Sequence, residues 1–361
     1  MSSSSSSAAL HPVRRRSPEG VRHARRFPWE KWPSERILDL RFCDLGVAIA
    51  GTWLEEPIEI LCCELENRGI RLRPHFWLSE EWFSPGDIPG IAIPFYLAHP
   101  RLMQIERSKM HEVEGGTLES CLKILRHEMG HAVQHGYQLQ RRRRWQQLFG
   151  KSSVRYPDHY RPKPSSKRFV LHLDRWYAQA HPDEDFAETF AVWFQPRPLW
   201  RRRYAGWPAL KKLEYVDELM NELEGARPVV KSNACIDPLH RLRKTLREHY
   251  REKLSHYPVS HPRTYDHDLQ RLFSRNPRHR SAESAATFLR RHRVEIRHLV
   301  SRWAGDLRFT LDQVFKDMVV RCRQLRLFAD GSERQLKHSF ATLLAVQTMH
   351  CLYSGRSWHP L

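Results

Sequence analysis

The chain has 361 residues, is 40% hydrophobic and carries a formal charge of +19, enough apolar material to fill one good-sized core and a second, smaller one. No apolar run approaches the ~18 residues that a membrane span requires. The seven cysteines are odd in number and form no C-x-x-C pair, which argues against a disulfide framework and fits a reducing, cytoplasmic compartment. The charge is unevenly spread: residues 1–33 hold 7 Lys/Arg against 2 Asp/Glu, residues 34–226 hold 27 of each, and residues 227–361 hold 26 against 12.

Residues 1–33 open on a serine run followed by Arg14-Arg15-Arg16. They lack the apolar stretch of a secretory signal and read as a disordered Ser/Arg-rich tail, although organelle transit peptides share that composition. From Ile37 the pattern is mixed. Ile37–Phe42 reads as a short strand, 52–67 as a helix stopped by Gly69, and 71–78 as a second strand. Residues 90–97 form a third strand, with Ile91, Ile93, Phe95 and Leu97 on one face. Pro94 cannot donate to a ladder there, which places this strand at a sheet edge open to a peptide added antiparallel. Gly115-Gly116 breaks the chain. Thr117 is a natural N-cap for a long helix toward Gln140, with Arg141–Arg144 at its end. Residues 151–168, rich in Pro, Ser and Lys, read as a loop. One helix starts near Pro182 and stops before Pro196, and another spans 208–224 with Gly225 just beyond. After Arg227-Pro228 the texture becomes purely helical: Val314, Phe315, Met318, Val319, Cys322 and Leu325 recur at helical spacing, as do Phe288, Leu289, Ile296, Leu299, Val300 and Trp303.

Within the 117–140 helix stands His127-Glu128-Met129-Gly130-His131, an H-E-x-x-H motif. Histidines four apart on a helix face the same way, so both imidazoles reach one zinc ion, and the adjacent glutamate is placed to take a proton from a water the metal activates. With 22 histidines in the chain, the bare motif carries less weight than it would in a histidine-poor protein, so its surroundings decide. Leu118, Leu122, Leu125, Met129 and Val133 form an apolar stripe opposite the two histidines, as required if one face packs and the other lines a cleft. A third histidine ligand at the usual offset is excluded, because Gln134 and Tyr137 occupy the positions where that pattern needs Gly and His. The remaining donors lie in His181-Pro182-Asp183-Glu184-Asp185-Phe186-Ala187-Glu188. Glu184 and Glu188 share a helix face away from Phe186 and Phe190; beside a dication one would bind metal and the other accept a ligand histidine's N–H. Asp183 and Asp185 read as an acidic helix start suited to the macrodipole. His135 continues the histidine row as a packed residue rather than a fourth ligand.

At Glu112–Thr117, Arg126–His131 and His181–Ala191 the chain resembles the bacterial zinc-binding metallopeptidases of the Glu-ligand zincin type, over roughly Arg101 to Met220. It is more distantly similar to anthrax lethal factor and the Pro-Pro endopeptidases. The resemblance implies His127, His131 and Glu184 as ligands of one Zn2+ per chain, Glu128 as general base, and Glu188 as the acceptor that orients a ligand histidine. It also implies Tyr177, seven residues before Glu184, as donor to the oxyanion. The Cys-rich zinc ribbon that many relatives carry at the N-terminus is absent from this sequence, and the helical C-terminal third has no counterpart in the resemblance. The expected fold is therefore α+β: a zincin-like domain over 34–226, with a small twisted sheet above the H-E-x-x-H helix, followed by an all-α basic domain over 227–361. The expected activity is zinc-dependent hydrolysis of a peptide or protein substrate. The competing readings are a zinc-binding, non-catalytic module, and a nucleic-acid-associated protein using the basic C-terminal helices. Arginine far outnumbers lysine throughout, which points to a compositional bias rather than a nucleic-acid footprint. An intact Glu128 tells against a purely structural metal, since such a site needs no base.

Overall fold

The computed structural model describes residues 27–353 apart from 111, 158–159, 161, 164–165, 198, 256–264, 277–282 and 305–307; residues 1–26 of the expected tail lie outside it. The described chain is mostly helical with one small parallel sheet. In order come α1 (Ser34–Leu38), α2 (Glu55–Asn67), strands β1 (His75–Ser79) and β2 (Gly90–Pro94), then α3 (Pro100–Met110), α4 (Leu118–Gly136) and α5 (Arg143–Phe149). A 3-10 turn at Asp174–Gln179 leads into α6 (Pro182–Phe194), α7 (Trp200–Arg203), α8 (Leu210–Glu222) and α9 (Leu246–Ser255). Five more helices follow, α10 (Asp266–Leu272), α11 (Ala285–Arg291), α12 (Arg293–Ala304), α13 (Arg308–Gln324) and α14 (Glu333–Tyr353). Among the described residues no helix is long and apolar enough to cross a membrane.

Three local expectations change. Residues 37–42 do not form a strand: Ile37 and Leu38 end α1, buried at 0% and 1% exposure, and so short a stretch of mixed apolar and charged residues does not distinguish one helical turn from a strand. Residues 27–33 are not tail, because Trp29 is buried and its Nε1 donates to the Leu45 carbonyl at 3.0 Å. The α4 helix stops at Gly136, since Gln138 turns left-handed at φ 51. The arginine run thus belongs to the next turn and α5, where Arg142 and Arg144 pair with Glu222 and Glu218 of α8 at 2.8 and 2.5 Å.

The sheet is not open to a peptide at β2. This strand pairs in parallel with β1, Gly90 opposite His75 and Pro94 opposite Ser79, and all five of its residues are buried. On its other side the 80–89 connection returns: the Ala92 N–H donates to the Phe83 carbonyl at 2.8 Å and Ser84 Oγ to the Gly90 carbonyl at 2.9 Å. Pro94 does lack a ladder donor, but it stands at the strand's end, where the chain turns into a buried 3-10 turn at Phe95–Ala98.

Buried residues fall into two clusters. The first runs from Trp29 to Tyr250 and the second from Tyr265 to Leu344. Leu239, Leu246 and Tyr250, beyond 226, thus share the first cluster. The residues after Pro228 fold back on the first core. Val229 and Val230 N–H groups both donate to the Gly136 carbonyl at the end of α4, at 2.8 and 3.0 Å. The side chains of His75, Trp77 and Ser79 on β1 engage the carbonyls of Ala234, Ile236 and Asp237 at 2.7, 2.8 and 2.7 Å. The Leu246 N–H then bonds the Leu40 carbonyl at 3.0 Å, and Lys253 on α9 reaches Glu81 and the buried Glu106. Leu246 is fully buried in this first cluster. Truncating it to Ala should cost about 2–5 kcal/mol and weaken the unit that carries α4 and α6, as seen in urea unfolding followed by tryptophan fluorescence. An unchanged midpoint would show that α9 belongs to a separate unit.

Candidate metal centre

The site is built where α4 and α6 lie side by side. Both start on firm caps. The Thr117 side chain accepts the Ser120 N–H at 3.2 Å while Ser120 Oγ accepts the Thr117 N–H at 3.1 Å, a reciprocal pair that satisfies two of the helix's orphan donors. Pro182 opens α6, and the His181 ring caps it by accepting the Asp183 N–H on Nδ1 at 3.2 Å. Phe186, Phe190 and Phe194, each at most 1% exposed, anchor α6 in the core with roughly 1.5–3 kcal/mol apiece.

Four contacts then pair the helices. His127 meets Glu188, Gly130 meets Ala187, His131 meets Glu184 and Gln134 meets Asp183. Ascending numbers on α4 meet descending numbers on α6, so the helices run antiparallel. The closest approach is at Gly130, where a Cβ would fall 2.7 Å from Ala187 Cα and 3.0 Å from its carbonyl oxygen. Neither neighbour can swing aside, because both are main-chain atoms. The expectation of a helix with one open face therefore changes: from Cys121 to Gly136 nearly every residue of α4 is buried, with α6 covering the histidine side.

At this contact His127 Nε2, His131 Nε2 and Glu184 Oε2 converge. The two nitrogens lie 3.2 Å apart, and the carboxylate oxygen is 3.0 Å from His127 and 3.2 Å from His131. Among the described residues these three form a group that could hold a metal ion. A tetrahedral zinc with bonds of about 2.0–2.2 Å keeps neighbouring donors about 3.3–3.6 Å apart, so the triangle is close to one face of that polyhedron. The chemistry of the donors agrees. His127 Nδ1 donates to Glu188 Oε1 at 2.8 Å, which leaves the Nε2 lone pair directed at the triad. Two imidazole lone pairs and a carboxylate oxygen in mutual contact repel unless a proton or cation lies among them.

The surroundings hold the triad in place. Glu188, 0% exposed, uses its second oxygen to accept the N–H groups of His172 and Leu173 at 3.3 and 2.9 Å. Burial opposes a charge on Glu184, yet the facing His131 and His127 rings hold its carboxyl well below the usual range. Burial likewise opposes a charged His127, but Glu184 and Glu188 push it well up. Glu128, beside the triad, is 7% exposed and its Oε2 has no hydrogen-bond partner, while its main-chain carbonyl accepts from Ser84 Oγ at 3.1 Å. Burial pushes its carboxyl up. The Tyr177 ring lies 5.5 Å from the His127 ring, and burial together with Glu184 and Glu128 pushes its phenol up, so it stays a neutral donor. His135 stacks at 6.5 Å on His131 and stays outside the triad; burial pushes it down to about 4.

Residues 95–197 match the sequence model of a family described as "Putative zinc-binding metallo-peptidase". The match covers less than a third of the chain. It contains all three members of the triad together with Glu128, Tyr177 and Glu188, and a zinc-binding description fits the donor set that the geometry assembles. No curated protein and no solved structure matches the chain.

Sequence reasoning missed three partners. Asp183 and Asp185 are more than a charged helix start: Asp183 accepts from Gln134 and Ser152 at 2.8 and 2.9 Å, and Asp185 pairs with the buried Lys212 of α8 at 2.5 Å. Tyr156, in the stretch read only as a loop, donates its hydroxyl to Glu184 Oε1 at 3.0 Å. The available signal was Ser152, Val154 and Tyr156 at alternating positions, an extended pattern, but nothing in it names α6 as the surface it lies on.

The contact at Gly130 yields a sharp expectation. Gly130→Ala should destabilise the fold by about 1–3 kcal/mol from overpacking, despite alanine's advantage of ~1 kcal/mol in a helix, and should weaken zinc retention. A second change, Ala187→Gly, should not restore either property, because the clash is with Ala187's main chain. Thermal melts and zinc content of the single and double variants check both points.

Proposed function

We propose that the protein is a zinc-dependent metallopeptidase, with one zinc per chain held by His127 Nε2, His131 Nε2 and a Glu184 oxygen in a zincin-like arrangement. The observation that carries this reading is the conjunction of that triad with a buried carboxylate, Glu128 Oε2, that has no other partner. A structural zinc is normally closed by four protein ligands and needs no base; here three donors converge and an acid with one oxygen free of any partner stands beside them. Zinc bound there would supply Lewis acidity, acidifying a water and polarising a scissile carbonyl.

The chain's own groups then have defined tasks. Glu188 fixes the His127 ring and its tautomer through Nδ1, which raises the ring's basicity as a ligand. Glu128 takes the proton of the attacking water and returns it to the leaving amine. A carboxyl pushed up by burial is better matched to that two-way transfer than one at its solution value. Tyr177, neutral and close to His127 and Glu184, donates to the oxyanion that develops on the former carbonyl. With β2 closed on both sides, the substrate is a peptide that reaches the triad without adding a strand there.

Purified protein should hold one zinc per chain by metal analysis, and both His131→Ala and Glu184→Ala should lose it. Glu128→Gln should retain zinc and fold but lose peptide hydrolysis by roughly a hundred- to ten-thousandfold, measured on whichever sequence a broad peptide library yields. Full zinc occupancy in Glu184→Ala would remove that residue from the ligand set, and a wild-type protein that binds zinc and cleaves nothing in such a library would favour the non-catalytic module. Tyr177→Phe keeps the ring and removes the hydroxyl; turnover should fall by roughly a hundred- to a thousandfold, and wild-type turnover would reduce Tyr177 to packing.

A further inference from the structure

Residues 152–156 form a short strap laid across the first turn of α6, and every second residue is attached. Ser152 Oγ donates to Asp183 Oδ2 at 2.9 Å. The Val154 carbonyl accepts from His181 Nε2 at 2.8 Å, the direction being set by Nδ1, which accepts the Asp183 N–H. The Tyr156 ring lies flat on the His181 ring, with centroids 3.7 Å apart and planes 14° from parallel. His181 is thus bound at both nitrogens and offers a fixed platform. A phenol stacked on it has its hydroxyl position set before any ligand arrives.

That hydroxyl meets Glu184, and the division of labour on this carboxylate is the decisive feature. Oε2 faces the two histidine nitrogens, at 3.0 and 3.2 Å, while Oε1 accepts from Tyr156 at 3.0 Å. A carboxylate with both oxygens free can grip a cation with either one or two of them. With Oε1 held toward an O–H donor, Oε2 is the oxygen left facing the histidine nitrogens. We propose that Tyr156 is a positioning residue that keeps Glu184 a one-oxygen ligand, so that the metal retains an open position for water and substrate. The inference rests on the His127–His131–Glu184 metal reading and adds to it what determines the coordination number. Tyr156 acts through Glu184, in contrast to the role proposed for Tyr177 at the reacting carbonyl.

The test uses full-length protein and Tyr156→Phe, which keeps the stacked ring and removes only the donor. Zinc affinity is measured by chelator competition. Coordination number is read from the visible absorption of the cobalt-substituted protein, which is intense for four ligands and weaker for five or six. The wild type should give the intense spectrum. The variant should give a weaker one as Oε1 joins the metal, with zinc affinity altered by roughly ten- to a hundredfold. An unchanged spectrum together with unchanged affinity overturns the proposal and leaves Tyr156 as packing. Unchanged metal properties with a fall in kcat at constant KM also overturn it, placing the hydroxyl on the substrate instead. A wild type that takes up neither zinc nor cobalt removes the metal reading and this inference together. A wild type that binds metal without cleaving peptides removes only the peptidase reading, because neither readout depends on turnover. Should Tyr156→Phe lose its helical circular dichroism, Tyr156→Trp, which can still stack but places its N–H donor elsewhere, carries the same spectral comparison.

Discussion

Everything in the site depends on two helices touching main chain to main chain. Gly130 lets α4 come so close to Ala187 that no side chain separates them, and at that spacing short side chains on either side of the contact reach one another. Histidine has no long flexible stem, so an imidazole on one helix meets a glutamate on the next only if the axes are close. The third and fourth positions of the H-E-x-x-H motif are therefore not filler. Met129 faces the apolar core, fully buried, and Gly130 makes the approach that brings Glu184 and Glu188 within reach. Overpacking at one atom would act on four contacts at once.

The second theme is how a buried acidic helix is made tolerable. Asp183, Glu184, Asp185, Glu188 and, on the facing helix, Glu128 are all at most 7% exposed. Bare carboxylates at such depth are costly, and each is compensated differently. Asp185 has Lys212, Asp183 has an amide and a hydroxyl, and Glu188 has an imidazole and two main-chain N–H groups. Glu184 has a phenol on one oxygen and two imidazoles on the other. Glu128 and Asp185 each keep one oxygen without a partner, and of the two only Asp185 is matched by a lysine. An average over this region gives zero net charge, which hides how unequally the protein treats its acids.

Legibility in the sequence followed the range of the interaction that mattered. His127 and His131 could be read because a helix fixes the geometry of residues four apart, and Glu184 with Glu188 followed for the same reason. The Thr117 cap and the Pro182 start were local as well and stood where the structure has them. What failed was long-range. The texture after Arg227-Pro228 read as helical, but nothing in it showed that Leu246 and Tyr250 pack into the core containing Trp29. Pro94 correctly argued for a strand lacking a donor, but the return of Phe83 across β2 depends on the path of a connection. Tyr156 was invisible for the same reason, since nothing within a loop names the surface it lies on.

The fold-back of residues 229–250 has a consequence for how the molecule comes into being. The stretch that carries the family's signature ends at 197, yet the carbonyl end of α4 is held by Val229 and Val230, and α1 by the segment around Leu246. A nascent chain with the whole signature already clear of the ribosome still lacks the residues that close this core. Assembly of the scaffold around His127, His131 and Glu184 is thus delayed until some sixty residues after Glu184 has been made, so that the three side chains are synthesised well before the core that holds them together can close.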